Sequence, residues 1–538
     1  MTEKDIAQKE DIHIVIAGAG LGGLCLAQSL KKQGISFAVY EKDEAADSRT
    51  QGYRLRIDET GQRALAACLP VDLNRLFRQT CAVSTSQGRF LDPRLQPING
   101  RPAESWRPSV IASPDQAEDA GGDRSANRLT LREILLTGIE DNVHFGKAVE
   151  RFEQRGSGLV TVAFEDGETT EADLLVAADG VNSAIARHRF PLSAPKDTGT
   201  ACIYGKTRPA PGSAVDDLLL SGTSVIFTDE FAVILDAMCF RFPAEAAQLT
   251  PVEDYVYWAF IGRRTRLGVS DETLPSGTAL MRAIERLAKG WSPGLRAVFA
   301  EADAQTVTAL PIRSAAPLHA WTATRVTALG DAIHAMSPAG GVGANSALRD
   351  AETLGGAIAE AVTARSPLPE AVARYEEDMR RHANRAIDIS AESARRLLHE
   401  TTFTIHDVSD FPVVLSLPDA VVPGYAERWE GEMAALLGRQ RPFVIIFPAS
   451  RTEETHEDRK RRGIWLKANK EALGRLCLSL IIVERDGQKR EEMKAQTPMA
   501  TKAFGIPMEI VASFEEAWSA AAWLTRADQR PASARSPT

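Results

Sequence analysis

The opening of this chain admits few folds. Residues 12–17 (Ile-His-Ile-Val-Ile-Ala) form an apolar, β-branched run, Gly18-Ala19-Gly20-Leu21-Gly22-Gly23 follows, and residues 24–30 have helical composition. A strand, a Gly-x-Gly-x-x-Gly turn and a helix in that order begin a parallel α/β unit. The glycines allow a tight turn and close backbone approach, so a pyrophosphate can rest on the free amides and positive end of the helix. A second strand, residues 36–40, ends at Glu41, where a carboxylate would accept hydrogen bonds from a ribose. An acid there favours an unphosphorylated adenosine ribose, as in FAD or NAD. Gly18, Gly20, Gly23 and Glu41 are thus the first candidate cofactor residues. A glycine-rich turn of any α/β domain could carry the glycines alone, but strand, helix and acid together favour a dinucleotide.

Composition narrows the class further. The 538 residues are 44% hydrophobic and 25% charged, as in an ordinary globular chain of about two to four domains. A net charge of -9, from 63 basic and 72 acidic residues, and the lack of an aromatic-rich basic stripe argue against nucleic-acid binding. The charged N-terminus lacks an apolar signal core, and no run of about 18 apolar residues could span a membrane, so a cytoplasmic location is expected. Six scattered cysteines without a C-x-x-C pair argue against a metal site or a disulfide framework and read as mostly buried thiols.

Alternation over residues 52–58 places Arg54, Arg56 and Asp58 on one strand face. Two arginines there could hold phosphate, flavin or an anionic substrate, or face solvent. Residues 98–126 have loop composition, and Thr130 with Glu133 is spaced like a capping box for a helix over 131–136. The run at 174–178 reads as a central parallel strand with Asp179 at its ligand-facing end. Between about 195 and 310, period-two strands without helices between them indicate an antiparallel sheet, one wall of a substrate cavity. No catalytic residue can be named within it. Residues 325–329 form a further buried strand that delivers Gly330-Asp331, then Pro338, Gly340, Gly341, Gly343, Ala344 and Asn345. Asp331 would bond cofactor hydroxyls or cap a helix, Pro338 would make a rigid turn against the ring system, and the later glycines permit close approach.

Three motifs now stand in order: Gly18-x-Gly20-x-x-Gly23, Asp179-Gly180 with Ser183, and Gly330-Asp331 with Pro338 and Gly343. Over about residues 10–400 the set resembles the single-component class A flavoprotein monooxygenases, the family of para-hydroxybenzoate hydroxylase and the tetracycline-inactivating monooxygenases. The resemblance implies an α/β fold: a Rossmann-type FAD-binding domain (about 10–80, 100–190 and 310–400) with an inserted antiparallel-sheet substrate domain (about 190–310). It implies FAD with its adenosine at the first motif and its isoalloxazine near the last, and NADPH or NADH as reductant. Glu41 would match the ribose-binding acid, Arg128 the arginine opening the helix after the long loop, and Asp331 the ribitol and pyrophosphate contact. Gly343 and Ala344 would lie near the pyrimidine edge. The implied reaction is hydroxylation of an aromatic or polyketide-like small molecule through a flavin C4a-hydroperoxide. Epoxidation, Baeyer-Villiger oxidation or dehydrogenation on the same scaffold, and a regulatory flavoprotein with a C-terminal partner-binding module, are the alternatives. One departure is Ala186, with Arg187 next, where the family commonly has arginine three residues after the serine. The absence of a second Gly-x-Gly-x-x-Gly argues against a separate nicotinamide domain.

Residues 369–400 read as a long charged helix that closes this unit. Beyond it, strand and helix patterns alternate over about 408–526, describing a separate small α/β domain that weakly resembles STAS-type domains. Its expected roles are oligomerisation, partner binding or a lid. Residues 527–538, rich in Arg, Ala, Ser and Pro, are expected to be disordered.

Overall fold

A computed structural model describes residues 12–48, 53–83, 88–98, 122–154, 158–228, 231–269, 277–398, 403–408, 410–438, 441–448 and 454–527. The chain divides into two compact units, Met1–His399 and Glu400–Thr538.

The first unit is built on five parallel strands in the order Val326–Ala328, Leu174–Ala177, His13–Ala17, Ser36–Tyr40, Val143–His144. Ile14, Val15, Ile16, Leu174, Leu175 and Val176 are fully buried, which is why these strands read as continuous apolar runs rather than alternating ones. The helices Leu21–Lys32 and Gly343–Ala364 start at the ends of His13–Ala17 and of the turn after Val326–Ala328 and pack on each other. Both N-termini therefore sit at the carboxyl edge of the sheet, where open α/β sheets bind ligands.

The inserted sheet has six strands in the order Thr308–Ser314, Lys196–Thr207, Tyr255–Arg263, Phe231–Met238, Thr223–Phe227, Arg89–Leu91. All neighbours are antiparallel except the last pair. One face buries Val256, Trp258 and Phe260 against Phe299, with the Trp258 indole N–H donated to Thr207 Oγ1 at 3.0 Å. The opposite face carries Cys202, Ile234, Ala259 and Ile261. Pleating of a two-sided sheet thus produces one structural face and one face free to line a cavity.

Several local expectations change. The helix Arg128–Leu136 is capped by Asn127, whose Oδ1 accepts the Thr130 N–H at 3.1 Å, and not by a Thr130–Glu133 box. Glu133 instead accepts from Thr250, 117 residues away. The strand expected over 52–58 is limited to Leu55–Ile57 among the described residues. Most of the 98–126 loop and the tail beyond Ala527 lie outside the described residues. Five of the six cysteines are buried and Cys239 is half-buried; all are free thiols. Burial pushes the Cys81, Cys202 and Cys477 thiols up to about 12. Among the described residues no helix is long and apolar enough to cross a membrane.

The second unit is α/β, with strands His406–Asp407, Val413–Ser416, Phe443–Phe447, Cys477–Val483 and Met508–Val511 in sequential order. The first pair is antiparallel and the rest are parallel. The helix Phe514–Ala527 covers one face, and Ser513 caps its start: Ser513 Oγ accepts the Glu516 N–H, while Glu516 Oε2 reaches one residue further back to accept the Ala512 N–H. Buried Glu432 ties the entry of the unit together, accepting the amides of Thr404, Ile405 and His406 and pairing with His406 Nδ1 at 2.9 Å. Glu432→Ala would leave these buried donors unpaired, at an expected cost of about 3 kcal/mol. Calorimetry of the full chain should show earlier unfolding of this unit with flavin retained; an unshifted transition would show that Glu432 does not hold it.

Candidate cofactor site

Two chambers open at the carboxyl edge of the parallel sheet. The wider, of about 300 Å³, is lined by Arg54, Arg56, Asp331, Pro338, Gly343 and Ala344 on one side and by Ile234, Tyr257, Ala259 and Ile261 of the antiparallel sheet on the other. The narrower, of about 150 Å³, is lined by Glu41, Asp43, Arg132 and Asp179. Gly20, Leu21, Arg128, Ala178 and Gly180 line both, so the two form one elongated channel.

The glycines of the first motif divide their labour. A Cβ at Gly18 would lie 2.4 Å from the Ala178 carbonyl oxygen, and one at Gly23 would lie 2.1 Å from that of Gly18. Neither residue lines the channel; they close the turn against the neighbouring strand and against itself. Gly20 alone opens onto both chambers, with its nearest atom, the Ala178 carbonyl oxygen, 3.8 Å from a hypothetical Cβ. The expectation of cofactor contact therefore narrows from three glycines to Gly20.

Glu41 reaches the narrow chamber but is partly committed. Its Oε2 accepts the Ala19 N–H at 2.8 Å and its Oε1 the Asp43 N–H at 3.1 Å. Arg132, one turn into the helix Arg128–Leu136, lies 3.6 Å from Glu41 Oε2 and donates to the carbonyls of Ala19 and Ala46. Arg132 was not legible in the sequence, because its role depends on contacts with a turn 113 residues away. Arg54 and Arg56 line the wide chamber, but their charge is matched. Arg54 Nε lies 2.6 Å from Asp236 Oδ2, and Arg56 pairs with Asp123 at 2.6 Å while donating to the Gly340 carbonyl at 3.4 Å.

The remaining polar groups suit a long anionic cofactor. Arg128 is exposed where the chambers meet and has no hydrogen bond or ion pair among the described residues. Asp179 Oδ1 is buried with no hydrogen-bond partner, and burial holds the carboxyl above its usual range despite the Ser183 hydroxyl. The helix Gly343–Ala364 begins two residues before the expected Asn345, with Val342 as its N-cap. Asn345 is instead a staple: its Oδ1 accepts the Asp58 N–H and its Nδ2 donates to the carbonyls of Arg56 and Gly341. Gly330, at φ +60°, turns the chain so that Asp331 faces the chamber. An uncommitted guanidinium at the waist, an orphaned acid in the narrow chamber and two helix N-termini at the walls fit a dinucleotide spanning both spaces.

Comparison with known proteins agrees. A family model for the FAD binding domain matches residues 131–390, and one for the NAD(P)-binding Rossmann-like domain matches residues 16–58. The chain is 32% identical over 451 residues to the dual O-methyltransferase/FAD-dependent monooxygenase elcB of Phaeosphaeria nodorum, covering 75% of this chain and 48% of that protein. It is 34% identical over 423 residues to the dual O-methyltransferase/FAD-dependent monooxygenase CTB3 of Cercospora beticola, covering 74% and 47%. The chain thus spans about half the length of these curated relatives. A solved structure from Photorhabdus luminescens, assigned as an FAD-containing monooxygenase, superposes with a TM-score of 0.62 at 29% identity, covering 73% of this chain and 100% of that one. The first unit therefore has a class-A-like FAD-dependent monooxygenase fold, with an FAD binding domain matched over residues 131–390.

Proposed function

We propose that the protein hydroxylates an aromatic or polyketide-like small molecule, using NADPH or NADH and O2. The observation that carries this reading is the shape of the wide chamber. One wall is the Asp331–Ala344 segment expected to hold the flavin ring, and the facing wall is the apolar side of the antiparallel sheet. A flat molecule on Ile234, Ala259 and Ile261 would lie across from that segment.

FAD, once bound and reduced, supplies the oxygen-activating chemistry. The chain itself binds, orients and keeps out water. Gly20, Arg128 and Asp331 would hold the cofactor, with Glu41 at the ribose, Pro338 at the ring, and Gly343 and Ala344 at its pyrimidine edge. Ile234, Ala259 and Ile261 would exclude water and hold the substrate ring. Tyr257 is the one phenol among the lining residues, and its hydroxyl makes no hydrogen bond among the described residues. Burial pushes it well above the ordinary tyrosine range, so it stays protonated and able to donate to an oxygen substituent of the substrate. Among the described lining residues Asp331 is the only carboxylate and none is a histidine, so we assign the chain orientation rather than side-chain proton abstraction as its main contribution on the substrate side.

Screening phenols and polyketides for stimulated NADPH oxidation, with products identified by mass spectrometry, tests the reading. A compound that stimulates oxidation and gains one oxygen supports it; stimulation across the panel with only peroxide formed would exclude hydroxylation of these classes. Tyr257→Phe is expected to lower kcat/KM about tenfold, the loss of one hydrogen bond in a dry site, with flavin content unchanged. Equal kcat/KM would remove Tyr257 from substrate orientation. For the C-terminal unit, the alternation of strands and helices in the sequence is what supports the weak STAS-like resemblance, with oligomerisation, partner binding or a lid as its proposed roles.

A further inference from the structure

Interior strands of a sheet covered by helices on both faces are ordinarily buried on both. The strand Cys477–Val483 of the C-terminal unit, paired on each side, departs from this. Ile481 and Val483 are buried against Ala517 and Ala521 of the helix Phe514–Ala527. Leu480 and Ile482, which alternate with them, stay half-buried, as do Phe447 and Met508 on the flanking strands. These four side chains border a cavity of about 730 Å³, roofed by Trp429, Met433 and Leu466 from the helices Ala426–Gly438 and His456–Ala468. Its volume lies within the roughly 300–1,000 Å³ typical of small-molecule pockets, and it lies wholly within this unit. A packed core of this size would ordinarily leave only voids near the size of a water molecule.

The polar groups of the cavity gather at one end. Arg462 donates from Nη1 to Tyr425 Oη at 3.0 Å, lies over the Trp429 ring at 5.4 Å, and has Nε 3.3 Å from Glu454 Oε1. That Nε is buried and lacks a hydrogen bond of proper geometry. Glu454 is also approached by Arg459 at 3.5 Å, and it accepts from Tyr425 Oη at 2.7 Å. Burial pushes the Tyr425 phenol up to about 12, so it adds no charge. Among the described residues, Arg462 and the largely exposed Arg459 both approach Glu454, and the Arg462 Nε at the end of the apolar chamber has no hydrogen bond. Held over the Trp429 ring, with Nη1 on Tyr425, Arg462 is pre-organised for a second oxyanion.

We propose that this cavity binds a compact apolar molecule carrying one anionic group, with its body on Leu480 and Ile482 and its acid on Arg462. The site is separate from the flavin channel and does not rest on the monooxygenase reading. The probes are anilinonaphthalene sulfonate and uncharged phenylnaphthylamine, which share the apolar body and differ in the anion. With the FAD-loaded full chain, both should bind saturably, the sulfonate about tenfold tighter. Arg462→Met, which keeps the apolar stem, should erase that difference and leave the neutral probe unchanged. Ile482→Trp, which fills the chamber, should weaken both by about tenfold or more with flavin content and circular dichroism unchanged. Leu480→Phe serves the same purpose if the first filling variant does not fold. Absence of saturable binding, equal affinity of the two probes, or binding indifferent to Arg462→Met or to the filling variants would overturn the proposal. So would a concentration-dependent dimer dissolved by Ile482→Trp, since a second copy would then cover the face.

Discussion

Replacing Asp350 by alanine is expected to strip the chain of its flavin and to destabilise the first unit by about 3–5 kcal/mol. Asp350 is fully buried and its two oxygens serve three groups. Oδ2 lies 2.6 Å from His334 Nε2 and accepts the Gly330 N–H at 2.9 Å, while Oδ1 lies 2.9 Å from His382 Nε2. The Oδ2 contacts are hydrogen bonds, that to His334 charge-assisted, whereas Oδ1 and His382 Nε2 approach within ion-pair distance without hydrogen-bond geometry. They fix the residue immediately before Asp331, so the alanine variant loosens the flavin-facing turn and strands two imidazoles. Flavin content and the denaturant midpoint, followed by flavin fluorescence, measure both effects. A variant with full flavin and an unmoved midpoint would show that the network does not hold the turn.

The same network carries a pH signature. Burial alone would raise the Asp350 pKa, but His334 and His382 hold it down at about 2. Its contribution is present above the unfolded value of about 3.9 and is lost as pH falls through the folded value. For His334, burial pulls the pKa down but Asp350 overrides it, leaving it raised. That contribution is present below about 6.5 and is lost as pH rises through the folded value. Stability of the first unit should therefore fall between about pH 4 and pH 2 in a step that Asp350→Ala lacks.

The second large effect is expected at Asp236, a lone carboxylate in the otherwise apolar strand Phe231–Met238. It accepts from Arg54 Nε at 2.6 Å, Ser125 Oγ at 2.8 Å and Thr223 Oγ1 at 3.0 Å, and thereby joins the inserted sheet to the wall of the wide chamber. The Arg54 and Asp236 side chains are 10% and 2% exposed, so Asp236→Ala leaves a nearly buried guanidinium unpaired. The expected cost is about 3–5 kcal/mol, whereas the double variant Asp236→Ala with Arg54→Met should recover a large part of it. A double-mutant cycle measures the coupling; additive losses would mean that the pair does not act as a unit.

What could be read from the sequence followed from local patterns. Residues 12–23, 174–180 and 325–331 each combine a buried strand with the turn that leaves it, so apolar runs and glycines sufficed to place them at one sheet edge. The strand Tyr255–Arg263 was visible as period two, and Tyr257, Ala259 and Ile261 were already on one face. Which face met the cofactor was not visible, because that depends on packing between sheets. Arg54 and Asp236 lie 182 residues apart, so neither residue's neighbours announce the pair. The Thr130–Glu133 box failed for a related reason: Asn127 offered a competing cap, and Glu133 was drawn to Thr250. Gly18 and Gly23 matched the fingerprint for their packing, and only close-approach geometry separates them from Gly20. In the C-terminal unit, strand and helix alternation was clear, but a cavity under a strand of ordinary apolar composition leaves no trace in spacing.

Titration of the flavin-free 538-residue chain with FAD bears most directly on the channel. One FAD is expected to bind per chain, with Arg128→Ala weakening the affinity about tenfold through loss of the uncommitted charge at the waist. Gly20→Val, which places a side chain where the two chambers meet, is expected to abolish binding. Absence of binding at micromolar FAD, or affinity unchanged by both substitutions, would contradict a flavin laid through this channel.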